Sequence, residues 1–242
     1  MRGYNLFKEV RNRLSYSWDK NQLGKKVIVG FVNFNTYLVW RKNTVLLEAV
    51  DVVYADGILM STLLSVLLGR PVHRYSFDMT SLAGKVFESC TTKNLRLGFI
   101  GGTATDIKAF EETVAVCFPG DKQPVFFRNG FFDSDSEYDS AIKQISLSEI
   151  DVIVVGMGAG KQEKFLLDLR SRGWDGAGFT CGAFISQTTK DLHFYPKLIN
   201  KLHLRWVYRS IKEKGLLLRY LKNYPRGIWY VVKDATSLVK NP

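Results

Sequence analysis

The sequence predicts an α/β protein: a Rossmann-like, mainly parallel sheet with helices on both faces, followed by a basic C-terminal helical appendage. Three observations carry this. Short β-branched and aromatic runs alternate with amphipathic stretches of helical period, the pattern of a sheet buried on both faces. Several of those runs end in glycine, where α/β folds place ligands. Near Pro196 the rhythm stops and the chain becomes strongly basic.

Residues 1–26 carry seven Lys/Arg against two acids, a net +5, with no continuous apolar run of the signal-peptide kind. They read as a basic N-terminal segment. The α/β catalytic domain is expected over 27–195. Its strands are VIVGFV at 27–32, DVVYA at 51–55, LRLGFIG at 95–101, PVFFR at 124–128, DVIVVGMG at 151–158 and GAGFTCG at 176–182. Amphipathic stretches at 36–49, 58–69, 78–92, 104–118, 135–146 and 160–172 supply the helices. The longest near-apolar run, Ile58 to Gly69, falls well short of the roughly twenty residues a bilayer span requires. Over 196–242, Leu198, Leu202 and Trp206 recur at helical spacing beside Arg205, Arg209 and Lys212, and Gly215 and Pro225 divide the segment into two or three helices. From Lys197 onward the net charge is +9, whereas the middle of the chain carries −3. The basic ends should face an anionic partner, and Trp, Tyr and Leu opposite Lys/Arg suit a membrane interface. An ordinary helix packed on the body explains the leucines equally well, but not the charge.

Asp56-Gly57 follows the second strand and leads directly into an apolar helix, so Asp56 is either a catalytic carboxylate or a helix cap. Gly101-Gly102 in GFIGGTATD and Gly158-Ala159-Gly160 in VVGMGAGKQE suggest turns that free backbone N–H groups for a diphosphate, or simply tight turns. Neither is a strict GxGxxG or a Walker A motif. Gln162 and Glu163 could bond a ribose or base, or cap the helix that follows. Asp133-Ser134-Asp135 has the DxD form of some metal-binding sugar transferases, but serves better as a solvated loop capping a helix. Arg74 and Asp78 stand four apart, either as an ion pair or with Arg74 beside an anionic ligand. Cys90, Cys117 and Cys181 are odd in number and widely spaced, and His73, His193 and His203 form no local metal motif, so neither a disulfide framework nor a zinc site is expected.

With these residues in view, the chain resembles the WecG/TagA/CpsF glycosyltransferases (glycosyltransferase family 26). The resemblance rests on VNFNTY at 32–37, YADG at 54–57, RYSFD at 74–78, GFIGG at 98–102, NGFF at 129–132, GMGAGKQEKF at 156–165, CGAF at 181–184, and the Tyr, Arg and Trp pattern between Tyr195 and Tyr220. It implies transfer of a sugar, of the N-acetylmannosamine, uronic acid or glucose type, from a UDP-sugar to a polyprenyl-diphosphate-linked saccharide in surface polysaccharide synthesis. It further implies Asp56 as general base of an inverting displacement, with Asn33 lining the acceptor or donor pocket and Gln162 and Glu163 helping to hold the uridine nucleotide. Arg209 and Arg219 would reach the diphosphates from the appendage. No metal or other cofactor is implied. Phe31 replaces a common Thr, Ser76 a Gly, Ala159-Gly160 a Ser-Pro and Arg205 a Glu, which bears on the sugar more than on the reaction.

The expected setting is cytoplasmic, peripheral on the inner face of a bacterial membrane, with a homo-oligomer possible. Two rival classes compete. An NAD-dependent Rossmann oxidoreductase requires a fingerprint that is absent. A nucleic-acid binder would use the basic tail but leave YADG and the glycine loops without purpose, so no specific nucleic-acid partner is expected.

Overall fold

A computed structural model of the protein describes residues 4–20, 23, 26–118, 123–189, 191, 192, 194, 199, 205–212 and 215–240. All six expected strands form: β1 (Val27–Val32), β2 (Val52–Ala55), β3 (Leu97–Gly101), β4 (Phe126–Arg128), β5 (Val152–Gly156) and β6 (Ala177–Thr180). They make one parallel sheet in the order β2-β1-β6-β5-β3-β4. The chain leaves β3 for the β4 edge but leaves β5 in the opposite direction, toward β6, so a crevice opens above β3 and β5, where α/β folds seat ligands.

Strand periodicity explains the layers. Ile28 and Val32, Val53 and Ala55, Ile153 and Val155 point to one face, while Val29 and Phe31, Tyr54, Val152 and Val154 point to the other. The first face is covered by α1 (Leu6–Arg13), α2 (Phe34–Lys42), α3 (Val45–Glu48), α4 (Ile58–Leu68), α7 (Asp135–Leu147) and α8 (Lys161–Ser171). On the second lie α5 (Ala83–Lys93), α6 (Ala104–Val114) and α9 (Phe184–Gln187). The second core is largely aromatic, with Phe77, Phe87, Phe99, Phe110 and Phe184 packed edge to face.

The basic N-terminal segment belongs to this body: Leu6, Phe7, Val10 and Leu14 are buried, and Ser15 donates its N–H to the Val53 carbonyl at 2.9 Å. Two helices follow the sheet, α10 (Arg205–Lys212) and α11 (Leu216–Lys240). Gly215, at φ +77°, separates them as expected. Pro225 does not end a helix: α11 runs through it, correcting the expected break. A proline inside a helix costs about 3 kcal/mol, through its missing N–H and the clash of its ring with the preceding turn, and the tertiary contacts of α11 outweigh it. Val231 and Ala235 are buried against the first core, and Asp234 accepts hydrogen bonds from Tyr37 Oη at 2.8 Å and from Arg41. Gly227 permits the closest approach, because a Cβ there would stand 2.6 Å from Phe34 Cβ. The expected helical spacing of Leu198 and Leu202, the Tyr195 motif position and His193 and His203 lie outside the described residues, as does the Trp206 side chain.

Candidate active site

A cleft of about 510 Å³ opens at the carboxyl ends of the strands, and every strand contributes to its lining: Asn33 after β1, Asp56 after β2, Gly102 after β3, Gly130 after β4, Gly158 after β5 and Cys181 after β6. The helices α10 and α11 close one side with Arg205, Arg209, Arg219, Tyr220 and Tyr224.

Asp56 is not a helix cap. The N-cap of α4 is Gly57, at φ +86°, and it makes no side-chain capping bond. The Asp56 carboxylate instead accepts a hydrogen bond from Asn33 Nδ2 at 3.2 Å. Asn33 is itself the N-cap of α2, its Oδ1 accepting from Thr36 N at 3.0 Å and Thr36 Oγ1 at 3.3 Å. The cap therefore fixes which way the amide points, oxygen to the helix and nitrogen to the carboxylate. Burial pushes the Asp56 carboxyl above its ordinary range, against the pull of Arg74, the Asn33 bond and Arg209. A carboxylate whose pKa is raised by burial is a stronger base than a solvated one.

Arg74 reaches Asp56 because residues 74–75 run alongside β2, with Tyr75 N donating to the Ala55 carbonyl at 2.9 Å. Its Nη1 donates to Ser76 Oγ at 2.8 Å, and Ser76 Oγ donates to Asp78 Oδ2 at 2.7 Å. Asp78 also pairs with Arg205 Nη1 at 2.7 Å. Burial alone would raise the Asp78 pKa, but Arg205, Ser76, Thr80 and Arg74 together hold it below the usual carboxylate range. Ser76 and Arg205, two departures from the family pattern, thus meet on one carboxylate. Phe31, a third, is buried and packs its ring against Tyr54 and Phe77.

Both glycine loops lead into helices that carry a capping carboxylate. At the start of α6, Asp106 accepts from Thr103 N at 2.9 Å and Thr103 Oγ1 from Asp106 N at 3.1 Å, a closed capping box. At the start of α8, Glu163 accepts from Gly160 N at 2.6 Å. Each carboxylate takes the backbone N–H of its helix's N-cap residue and adds negative charge at that end. Gly102 and Gly158 line the cleft; Gly101 lies beneath, pressed against the Gly156 backbone. Glu163 is wholly buried, whereas Gln162 lines the cleft and accepts from Gly182 N at 3.2 Å. Gly160 sits at φ +93°, closed to the proline many members of the resembled family carry there. Arg74, Arg205, Arg209, Arg219 and Lys161 bring positive charge to the cleft lining.

Ser134 caps α7 and Asp133 donates its N–H to Glu137, so the DxD stretch serves local structure. Among the described residues no cluster of His, Cys, Asp and Glu has the makings of a metal site. Sequence reasoning missed Tyr224, which lines the cleft from α11. Reading through Pro225 would have found it, since Tyr220, Tyr224, Gly227 and Val231 share one helical face.

The sequence profile of the glycosyl transferase WecG/TagA/CpsF family matches residues 7–241. The chain is 30% identical over 202 residues to a UDP-Gal:alpha-D-GlcNAc-diphosphoundecaprenol beta-1,4-galactosyltransferase of Shigella boydii, covering 83% of this chain and 84% of that protein. An N-acetylglucosaminyldiphosphoundecaprenol N-acetyl-beta-D-mannosaminyltransferase of Staphylococcus aureus is 27% identical over 116 residues, 46% of this chain and 43% of its own.

Proposed function

Because the chain belongs to the glycosyl transferase WecG/TagA/CpsF family and is a glycosyltransferase, we propose that its cleft moves a hexose from a UDP-sugar to a polyprenyl-diphosphate-linked saccharide. The observation that carries this is Asp56, held by Asn33 at the floor of a cleft walled by arginines. Asp56 takes the proton of the acceptor hydroxyl as its oxygen attacks the anomeric carbon. The bond to UDP breaks on the opposite face, so the anomeric configuration inverts. Negative charge grows on the departing diphosphate, and Arg74, Arg209 and Arg219 stabilise it without a metal. The relative matched over most of its length uses UDP-Gal, which puts galactose beside the glucose and N-acetylmannosamine types as donor. An oxidoreductase reading is disfavoured because neither glycine-rich strand end carries the GxGxxG fingerprint.

The same enzyme works on the inner membrane face. Among the described residues no helix is long and apolar enough to cross a membrane. Ile211, Leu217, Leu218, Leu221 and Trp229 are exposed on α10 and α11, interleaved with Lys222, Arg226 and Lys233. That mixture suits the interface of an anionic bilayer.

The test is UDP release from UDP-galactose, UDP-glucose and UDP-N-acetylmannosamine with polyprenyl-diphosphate N-acetylglucosamine as acceptor, run with and without EDTA. Acceptor-dependent release from one donor, unaffected by EDTA and lost in Asp56→Asn, is expected. Release that persists in Asp56→Asn would remove Asp56 from its role. Co-sedimentation with vesicles containing phosphatidylglycerol, but not with neutral vesicles, tests the membrane reading.

A further inference from the structure

The cleft wall contributed by α11 is aromatic where it comes nearest the base. Tyr224 packs its ring edge to face on Phe34 at 5.2 Å between centroids, and Tyr220 lies on Tyr224 at 4.6 Å. Phe34 is the residue after Asn33, the hydrogen-bond partner of Asp56. This turn of α11 is fixed to α2 by Asn223 Nδ2, which donates to Asn35 Oδ1 at 2.9 Å, and by the close passage of Gly227 over Phe34. The Tyr224 phenol keeps its proton: burial above all, then neighbouring Tyr220 and Asp56, push its pKa up against the pull of Arg209.

From this placement we infer that Tyr220 and Tyr224 form the platform that binds the ring of the acceptor sugar and presents its hydroxyl to Asp56. The inference rests on the sugar-transfer reading above. The acceptor hydroxyl must come within roughly 3 Å of its base, so the ring bearing it lies against whatever flanks Asp56. A pyranose offers C–H groups on its faces and hydroxyls around its edge. A phenol matches that division, apolar across the ring and hydrogen-bonding at its tip. Neutral sugar and charged diphosphate are thereby sorted by chemistry: the acceptor ring on the tyrosines of α11, the departing UDP facing Arg209 of α10 and Arg219 of α11.

The experiment compares wild type with Tyr220→Leu, Tyr224→Leu and Tyr224→Phe. Steady-state KM is measured for a short-chain prenyl-diphosphate N-acetylglucosamine and for the UDP-sugar, and UDP affinity by titration. Leucine keeps apolar volume but removes the ring. Each Leu variant is expected to raise the acceptor KM about five- to tenfold, with donor KM and UDP affinity unchanged, and Tyr224→Phe should recover most of the loss. Unchanged UDP affinity also reports an intact fold; should Tyr224→Leu fail to melt cooperatively, Tyr220→Leu decides. Where wild type transfers sugar, a rise in acceptor KM below threefold, or an equal rise in donor KM, overturns the platform alone. No UDP release by wild type with any donor brings down the transfer reading and the platform with it.

Discussion

Gly227→Ala tests how the C-terminal helix completes the site. The added Cβ would lie 2.6 Å from Phe34 Cβ and 3.2 Å from its Cα and Cδ1, whereas carbon atoms rest at about 3.5–4.0 Å. Either Phe34 or α11 has to give by about 1 Å. Phe34 opens α2 directly after the Asn33 cap and is itself buried, so the movement falls on α11. Overpacking of this kind costs about 1–3 kcal/mol, and replacing a helical glycine by alanine returns about 1 kcal/mol. The net destabilisation is then about 0–2 kcal/mol, or a fall in Tm of several degrees at most for a chain of this size. The catalytic effect should be larger, because Tyr224 and the Asn223–Asn35 bond shift with the helix, and a 1 Å misplacement can cost about a hundredfold in rate. Thermal melts and kcat/KM on the same preparations measure both. Unchanged stability and unchanged kcat/KM would refute the close packing of α11 on Phe34.

Three further outcomes are expected. Asp56→Asn should lower transfer by at least about a hundredfold, the scale of general-base catalysis, while stabilising the fold at neutral pH. The sign follows from the raised folded-state pKa. The native protein holds the Asp56 proton more tightly than the unfolded chain, so wild type loses stability as pH rises from the ordinary carboxylate value through the raised one, and the gap to the mutant opens over that window in urea titrations. Asp78→Asn should behave oppositely: its depressed pKa contributes stability above the ordinary carboxylate value, lost as pH falls through the folded-state one, so the mutant's deficit shrinks in acid. Asn33→Ser keeps a good helix cap but removes the amide donor to Asp56, so kcat should fall at least tenfold with stability within about 0.5 kcal/mol of wild type; parallel kinetics and melts decide.

The six strands and both sheet faces were legible in the sequence because a buried parallel strand needs a run of β-branched and aromatic residues, a local signal. The position of Asp56 at the end of the second strand was legible for the same reason, but that it lines the cleft and does not cap α4 was not. What the chain itself determined is therefore the sheet, the helices that cover it and the strand ends where chemistry is concentrated. Which groups meet at those ends was decided only by folding. Asp106 and Glu163 fold back on the helix starts that glycine had suggested as anion sites, each taking the N–H of the N-cap residue, a pairing that only the folded turn reveals. Ser76 and Arg205 read as separate departures, 129 positions apart, until α10 brings both to Asp78. Pro225 signalled a helix end, and its local cost was outweighed by contacts with Phe34, Tyr37 and Arg41, nearly two hundred residues away in sequence. Local propensity is written along the chain; the burial and charge pairing that override it depend on neighbours the chain supplies only once folded.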